Sequence, residues 1–313
     1  MSSAETTRSA YVSRRAPDKR PVWMERPNPV AQVGKAVALV VSVVLVIVPF
    51  YAVVATSLAS QETINKSSGG MVLWPGDPTL SAYKAILSGG LVSRAMIISI
   101  GITVVGTLLS LAATAGLAYW LSRRGSLGSK PVLMVILGAV LFGPGIIPSY
   151  LVVKEFHLLD SWWSLILPVM INAFNVIVMR AFFQELPQEL FESAEIDGAS
   201  QVSVLVRIVL PLSKAVLAVI GLFYAVAYWN AFFNALLYMN TASKWPIALV
   251  LRTYVVNGNQ LSTNELAETG QIIPPQLSMQ MAILVIAMVP ILIVYPFLQR
   301  HFAKGVLIGA VKG

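Results

Sequence analysis

Glu185-Leu-Pro-Gln-Glu-Leu-Phe-Glu-Ser-Ala-Glu-Ile-Asp-Gly-Ala-Ser200, continuing to Arg207-Ile-Val-Leu-Pro211, is unlike the rest of this 313-residue chain. Five of the 14 acidic residues (Glu185, Glu189, Glu192, Glu195 and Asp197) fall within its first 13 positions. Pro187 suits the first turn of a helix, and Gly198 suits its end, because only glycine enters the left-handed region cheaply. The spacing predicts a short helix from about Gln188 to Asp197. At 100° per residue, Leu190, Phe191 and Ala194 share one face, while Glu189 and Glu192 lie opposite. Ser200 is placed to cap a second helix leading to Pro211. An acidic amphipathic helix suits a protein partner better than an anionic leaflet, which attracts basic ones.

Outward from this island the chain is apolar. Hydrophobic residues make up 57% and charged ones 12%, against about 45–50% and about 25% in soluble domains. Six runs reach the ~20 apolar residues that a helix needs to cross a bilayer: 36–58, 95–121, 132–153, 161–183, 212–239 and 279–298. Apolarity runs nearly all the way round each, and none reads as a strand. The expectation is an all-α membrane protein with six transmembrane helices. Ser57-Leu58-Ala59 would pass as a signal cleavage site, yet the run before it is too long and about 35 polar residues precede it. A retained anchor is expected.

Charge orients the spans, since cytoplasmic loops are rich in Lys and Arg. One side collects 16 basic residues, among them Arg8, Arg14, Arg15, Arg123, Arg124, Lys130, Arg180, Arg207, Lys214 and Arg300; the other has 6. The acidic residues divide 8 and 6 on the same partition, leaving +8 against 0. Both termini are expected in the cytoplasm. The expected domains are a basic, disordered tail (1–35), a first transmembrane helix (36–58), a transmembrane core (95–300) holding the loop at 185–211, and a cytoplasmic tail (301–313). The basic tail suits membrane lipid. The charge is dispersed between apolar runs rather than gathered on one polar face, so nucleic acid is not an expected partner.

Several chemistries drop out. Cysteine is absent, and His157 and His301 are far apart in sequence, so thiol catalysis and Cys-based metal sites are excluded. No metal ligand set or catalytic residue is assigned. The nearest approach to a phosphate-cradling loop, Gly34-Lys35-Ala36, lacks the hydroxyl and the upstream glycine. No run has an acidic residue near its middle, which disfavours an ion-driven carrier. Uphill transport therefore needs a partner's energy, and no cofactor is expected on this chain.

The island resembles a known family. Glu192-Ser193-Ala194-Glu195-Ile196-Asp197-Gly198-Ala199, followed by Ile208-Val209-Leu210-Pro211, is similar to the EAA loop of ABC importer membrane subunits: Glu-Ala-Ala, two variable positions, Asp-Gly-Ala, eight variable positions, then Ile-x-Leu-Pro. The spacing fits without a gap, and only Ser193 departs, small for small. The resemblance implies a type I ABC importer permease fold, with Glu192, Ser193, Ala194, Asp197, Gly198, Ala199, Ile208, Leu210 and Pro211 coupling the chain to an ATPase. The closing segment, with Lys304-Gly305, Gly309 and Lys312-Gly313, resembles carbohydrate importers of the maltose and multiple-sugar class. Trp245-Pro246, Leu249 to Arg252, and Pro274-Pro275 look closer to the oligosaccharide branch. The implied partners are a second homologous permease subunit, two ATP-binding subunits that hold ATP and Mg, and an extracytoplasmic solute-binding protein reached by the outward loop 240–278. The implied location is the bacterial cytoplasmic (inner) membrane. An ATP-independent channel or scaffold, or a permease for a non-sugar solute, are the alternatives.

Sugars are held by aromatic faces and neutral polar groups. Span five offers Tyr224, Tyr228, Trp229, Asn230, Asn234 and Tyr238; span four offers Asn172 and Asn175. Pro144 and Pro148 free carbonyls of the kind tolerated where a helix lines a cavity. The competing reading is that these polar groups glue helices together.

Overall fold

The computed structural model describes residues 29–310, except 69, 89, 124 and 259–273. The chain divides into two units, Met1–Pro49 and Phe50–Gly313. Most of the basic tail, and residues 259–273 of the outward loop, lie outside the described residues.

Fourteen helices, two further 3-10 turns (Leu167–Val169 and Ala242–Lys244) and no strand occur among the described residues. The helices are α1 (Pro29–Ser57), α2 (Gln61–Lys66), α3 (Ser81–Ser88), α4 (Leu91–Ser122), α5 (Ser129–Leu141), α6 (Ile146–Glu155) and α7 (Trp163–Ile166). Then come α8 (Ala173–Gln184), α9 (Gln188–Ile196), α10 (Gln201–Leu212), α11 (Lys214–Trp229), α12 (Phe232–Tyr238), α13 (Ile247–Val256) and α14 (Gln276–Ala310). α1 starts at Pro29, where a missing N–H costs nothing. α14 carries helical backbone from the sixth expected span through Ala310.

By length and composition, Val30–Ser57, Leu91–Ser122 and Gln276–Pro296 can each cross a membrane. Two bent pairs raise the count to as many as five. These are Trp163–Val169 with Ala173–Gln184, bent by 51°, and α10 with α11, bent by 88°. The run 132–153, read as one span, is two helices separated at Phe142-Gly143-Pro144-Gly145. Pro144 lacks the N–H that continuation needs, and Gly145 takes φ 79°. The fifth run is likewise interrupted, at Asn230 and Ala231.

Within the second unit, α4 is the axis. A seam of small and hydroxyl residues, Ser99, Gly106, Ser110 and Thr114, is buried along it. Small residues let membrane helices approach closely. At Gly106 the approach is absolute, because a Cβ there would lie 2.8 Å from the Tyr228 ring of α11. Around the seam, Tyr119, Met179, Phe183, Phe191, Ile220 and Tyr224 belong to one buried cluster. Trp229, Ile247, Val250, Met279 and Ile283 belong to a second. Many large apolar side chains of α4, α5, α6 and α14 remain exposed, Ile97, Val135, Ile147 and Leu292 among them. Such surface suits lipid or another subunit.

Candidate functional site: the coupling loop and the span-five polar groups

The loop at 185–211 folds as its residues dictate. α9 follows Pro187 and ends at Asp197, after which Gly198 takes φ 71° with nothing within 4 Å of where a Cβ would stand. Backbone conformation alone therefore reserves this position for glycine. Phe191 and Ala194 are buried beneath α9, Leu190 is half-exposed, and Glu189, Glu192 and Glu195 face solvent. Ser200 caps α10 by accepting from the Ser203 amide. Residues Leu205–Val209 of α10 are wound as a π-helix, a form that recurs at functional sites.

The residues expected to couple the chain to an ATPase divide by surroundings. Glu192, Ser193, Asp197, Gly198 and Pro211 are exposed; Ala194 is buried; Ala199, Ile208 and Leu210 pack partly buried against the core. Ala194 thus seats the helix on the bundle, while Glu189 and Glu192 stay exposed.

Sequence reasoning missed what holds the loop from behind. The Arg123 guanidinium lies 4.5 Å from the centre of the Phe191 ring and pairs with Glu195. Tyr119 donates to Gln201 Oε1 at 2.7 Å, and Arg180 Nε donates to the Leu121 carbonyl at 3.0 Å. Arg123 counted toward orientation only, because its partners stand about 70 positions away.

The span-five groups separate into two sets. Tyr224 Oη pairs with Thr114 Oγ1 at 2.7 Å and accepts from the Asn172 amide at 3.0 Å. Tyr228 Oη pairs with Ser110 Oγ at 2.8 Å and donates to the Ile166 carbonyl at 3.3 Å. Ile166 and Asn172 flank the break in span four, where Pro168 interrupts the helix. The two tyrosines therefore satisfy backbone groups that the break sets free. Asn172 also caps α8 by accepting from the Asn175 amide, and Asn175 is buried. Tyr238 and Trp229 are buried in the two clusters. Asn230 is exposed, with its amide donating to Val226 of its own helix, and Asn234 is partly exposed. Pro144 and Pro148 line an apolar cleft of about 440 Å³, with Ser149, Phe156 and Pro168.

At the far end of the second unit a junction ties the start of span four to the segment after α12. Asp160 Oδ1 accepts from the amides of Asn240 and Thr241 at 3.0 and 2.9 Å. Its Oδ2 accepts from Thr241 Oγ1 at 2.7 Å and Lys244 Nζ at 2.8 Å. The Lys244 ammonium, then the Thr241 donors, hold the Asp160 carboxyl well below the usual carboxylate range.

A broken-helix bundle presenting a short, glycine-hinged acidic helix defines a membrane transport subunit whose energy is supplied by another chain. Residues 111–308 match the binding-protein-dependent transport system inner membrane component family, and the chain belongs to it. It is a permease subunit, not an enzyme. It is 42% identical to the polygalacturonan/rhamnogalacturonan transport system permease protein YtcP of Bacillus subtilis (strain 168), over 88% of this chain and 96% of that one. It is 48% identical to Protein LplC of the same organism, over 86% of this chain and 90% of that one. Among solved structures, a bacterial ABC transporter involved in the import of the acidic polysaccharide alginate matches with a TM-score of 0.81 at 28% identity. That match covers 90% of this chain and 99% of that one.

Proposed function

We propose that this chain is one of two paired permease subunits in an ATP-driven importer of oligosaccharides, and that it works by alternating access in the bacterial cytoplasmic membrane. In this reading it crosses the membrane six times, with both termini in the cytoplasm. The broken helices α5 with α6, α7 with α8, and α11 with α12 serve as single crossings. Two separate ATPase subunits carry ATP and Mg, and an extracytoplasmic binding protein delivers the solute. Carbohydrate is supported by the substrates named for YtcP and for the alginate transporter.

The observation that carries the reading is α9, whose apolar face is buried in the bundle while Glu189 and Glu192 point away from it. The positive φ of Gly198 then sets the angle at which any push on α9 reaches α10 and α11. Candidate substrate contacts narrow to Asn230 and Asn234, since the tyrosine hydroxyls are engaged between helices. Because the chain has no cysteine, Glu192→Cys supplies a single attachment point for a thiol crosslinker. Coproduced with its ATPase in native membranes, this variant is expected to be captured by the ATPase. A chain that is never captured there removes the coupling assignment.

A further inference from the structure

We propose that Arg123 is a positioning residue that fastens the coupling helix to the cytoplasmic end of α4, so that α4 and α9 move as one body. The inference rests on the coupling role proposed for α9. In that role α9 is covalently continuous with α8 through residues 185–187 and with α10 and α11 through Gly198. The structure adds a non-covalent link, to α4.

Arg123 immediately follows the last turn of α4 and turns away in extended conformation. Its side chain is 20% exposed, against 53% for Glu195. Phe191 and Glu195 are one helical turn apart on α9, so a single guanidinium stacks on the ring and pairs with the carboxylate. A planar fork does both at once, which an ammonium cannot. One turn back on α4, Tyr119 reaches α10 through Gln201. The two contacts bracket Gly198, so the end of α4 grips both sides of the hinge. Arg180 of α8 meanwhile bonds the Leu121 carbonyl, one of those left open at the end of α4. Glu195 occupies a variable position of the loop pattern and is not among the acidic groups assigned to the ATPase. Further along α4, Ser110 and Thr114 hold the tyrosines that satisfy the break in span four. Displacement of α9 carried by α4 thus arrives where a span is already interrupted.

The test uses the assembled importer in proteoliposomes, reading solute uptake and ATP hydrolysis together. Arg123→Glu and Glu195→Arg singly are expected to raise the ATP consumed per solute several-fold, and the double exchange to bring it back to within about twofold of the parent. Arg123→Lys, which keeps charge without the planar stack, should fall between. Parental coupling ratios in both single variants overturn the proposal. If the single variants do not assemble, recovery of assembly and uptake in the double supports it, and failure of the double overturns it. A second arm joins Arg123→Cys and Glu195→Cys with a short reducible crosslinker. Uptake retained within about twofold supports motion as one body, whereas a block released by reductant overturns it. Loss of the coupling role itself would show separately, as absent capture from Glu192→Cys.

Discussion

The two ends of the second unit are joined in opposite ways. At the Asp160 end, one carboxylate with three neutral donors and an ammonium around it pins the start of span four to the chain beyond α12. At the other end, α9 and α10 meet at Gly198, a residue with open space around it. The first junction is over-determined and resists rearrangement; the second has one covalent joint and a bracket of side chains. In the alternating access proposed here, a permease that rocks about a fixed frame would use this asymmetry. In the proposed reading, stability falls to the Asp160 junction and coupling to Gly198.

Gly198→Val gives the largest effect on the coupling side. A residue forced to φ 71° costs about 1–2 kcal/mol, and a β-branched one resists most. No neighbour would clash, so the strain acts on the angle between α9 and α10. Solute taken up per ATP is expected to fall tenfold or more, with unfolding stability in detergent lowered by no more than that strain. Alanine should fall between valine and asparagine, since asparagine enters this region more readily. Equal uptake across the three variants would break the comparison.

Asp160→Ala should show the reverse. Removing one charged acceptor leaves the Asn240 and Thr241 amides to solvent, while Lys244 keeps its bond to the backbone carbonyl of residue 160, at a cost of about 1–2 kcal/mol. Thermal stability of the purified protein is expected to drop, while solute moved per ATP holds. The distinction collapses if the variant uncouples instead.

Between the ends, Tyr228→Phe removes a hydroxyl shared by Ser110 and the Ile166 carbonyl. Hydrogen bonds between membrane helices contribute about 0.6 kcal/mol and up to about 1.7, so a loss of roughly 1 kcal/mol in unfolding stability is expected. Asn230→Leu with Asn234→Leu should leave stability nearly unchanged and lower uptake several-fold, read as initial rates. If instead Tyr228→Phe abolishes uptake at full stability, that hydroxyl returns to the solute pathway.

What the sequence made legible follows the same division. α9 is local: Pro187, the i, i+3, i+4 apolar face and Gly198 lie within a dozen positions, so pattern alone gives the helix, its buried side and its end. Ser200 as a cap is equally local. The Asp160 junction joins residues about 80 positions apart, and the tyrosine bonds join residues more than 100 apart to α4. No periodicity reports such pairings. The interruption of the third run was visible in Gly143-Pro144-Gly145, yet hydropathy averages over it, because a broken pair of apolar helices and a continuous one have the same composition. Tyr224 and Tyr228, one turn apart, read equally well as a sugar platform or as interhelical glue, and only the positions of Ile166 and Asn172 separate the two.

The smallest expected effect is on pH dependence, where the sign follows from the Asp160 carboxyl. Its folded value is depressed by Lys244 and the Thr241 donors, while the unfolded chain titrates near the ordinary value of about 3.9. The unfolded state therefore binds the proton first as pH falls. The stabilisation from ionised Asp160 is complete above about pH 5 and is lost progressively below it. Between pH 5 and 8 the stability gap between the parent and Asp160→Asn should stay constant; below pH 4 it should narrow. Unfolding midpoints of both proteins in the same detergent, taken across that range, measure it. A gap that closes between pH 8 and 6 would mean that another group, not this carboxylate, fastens span four to the segment beyond α12.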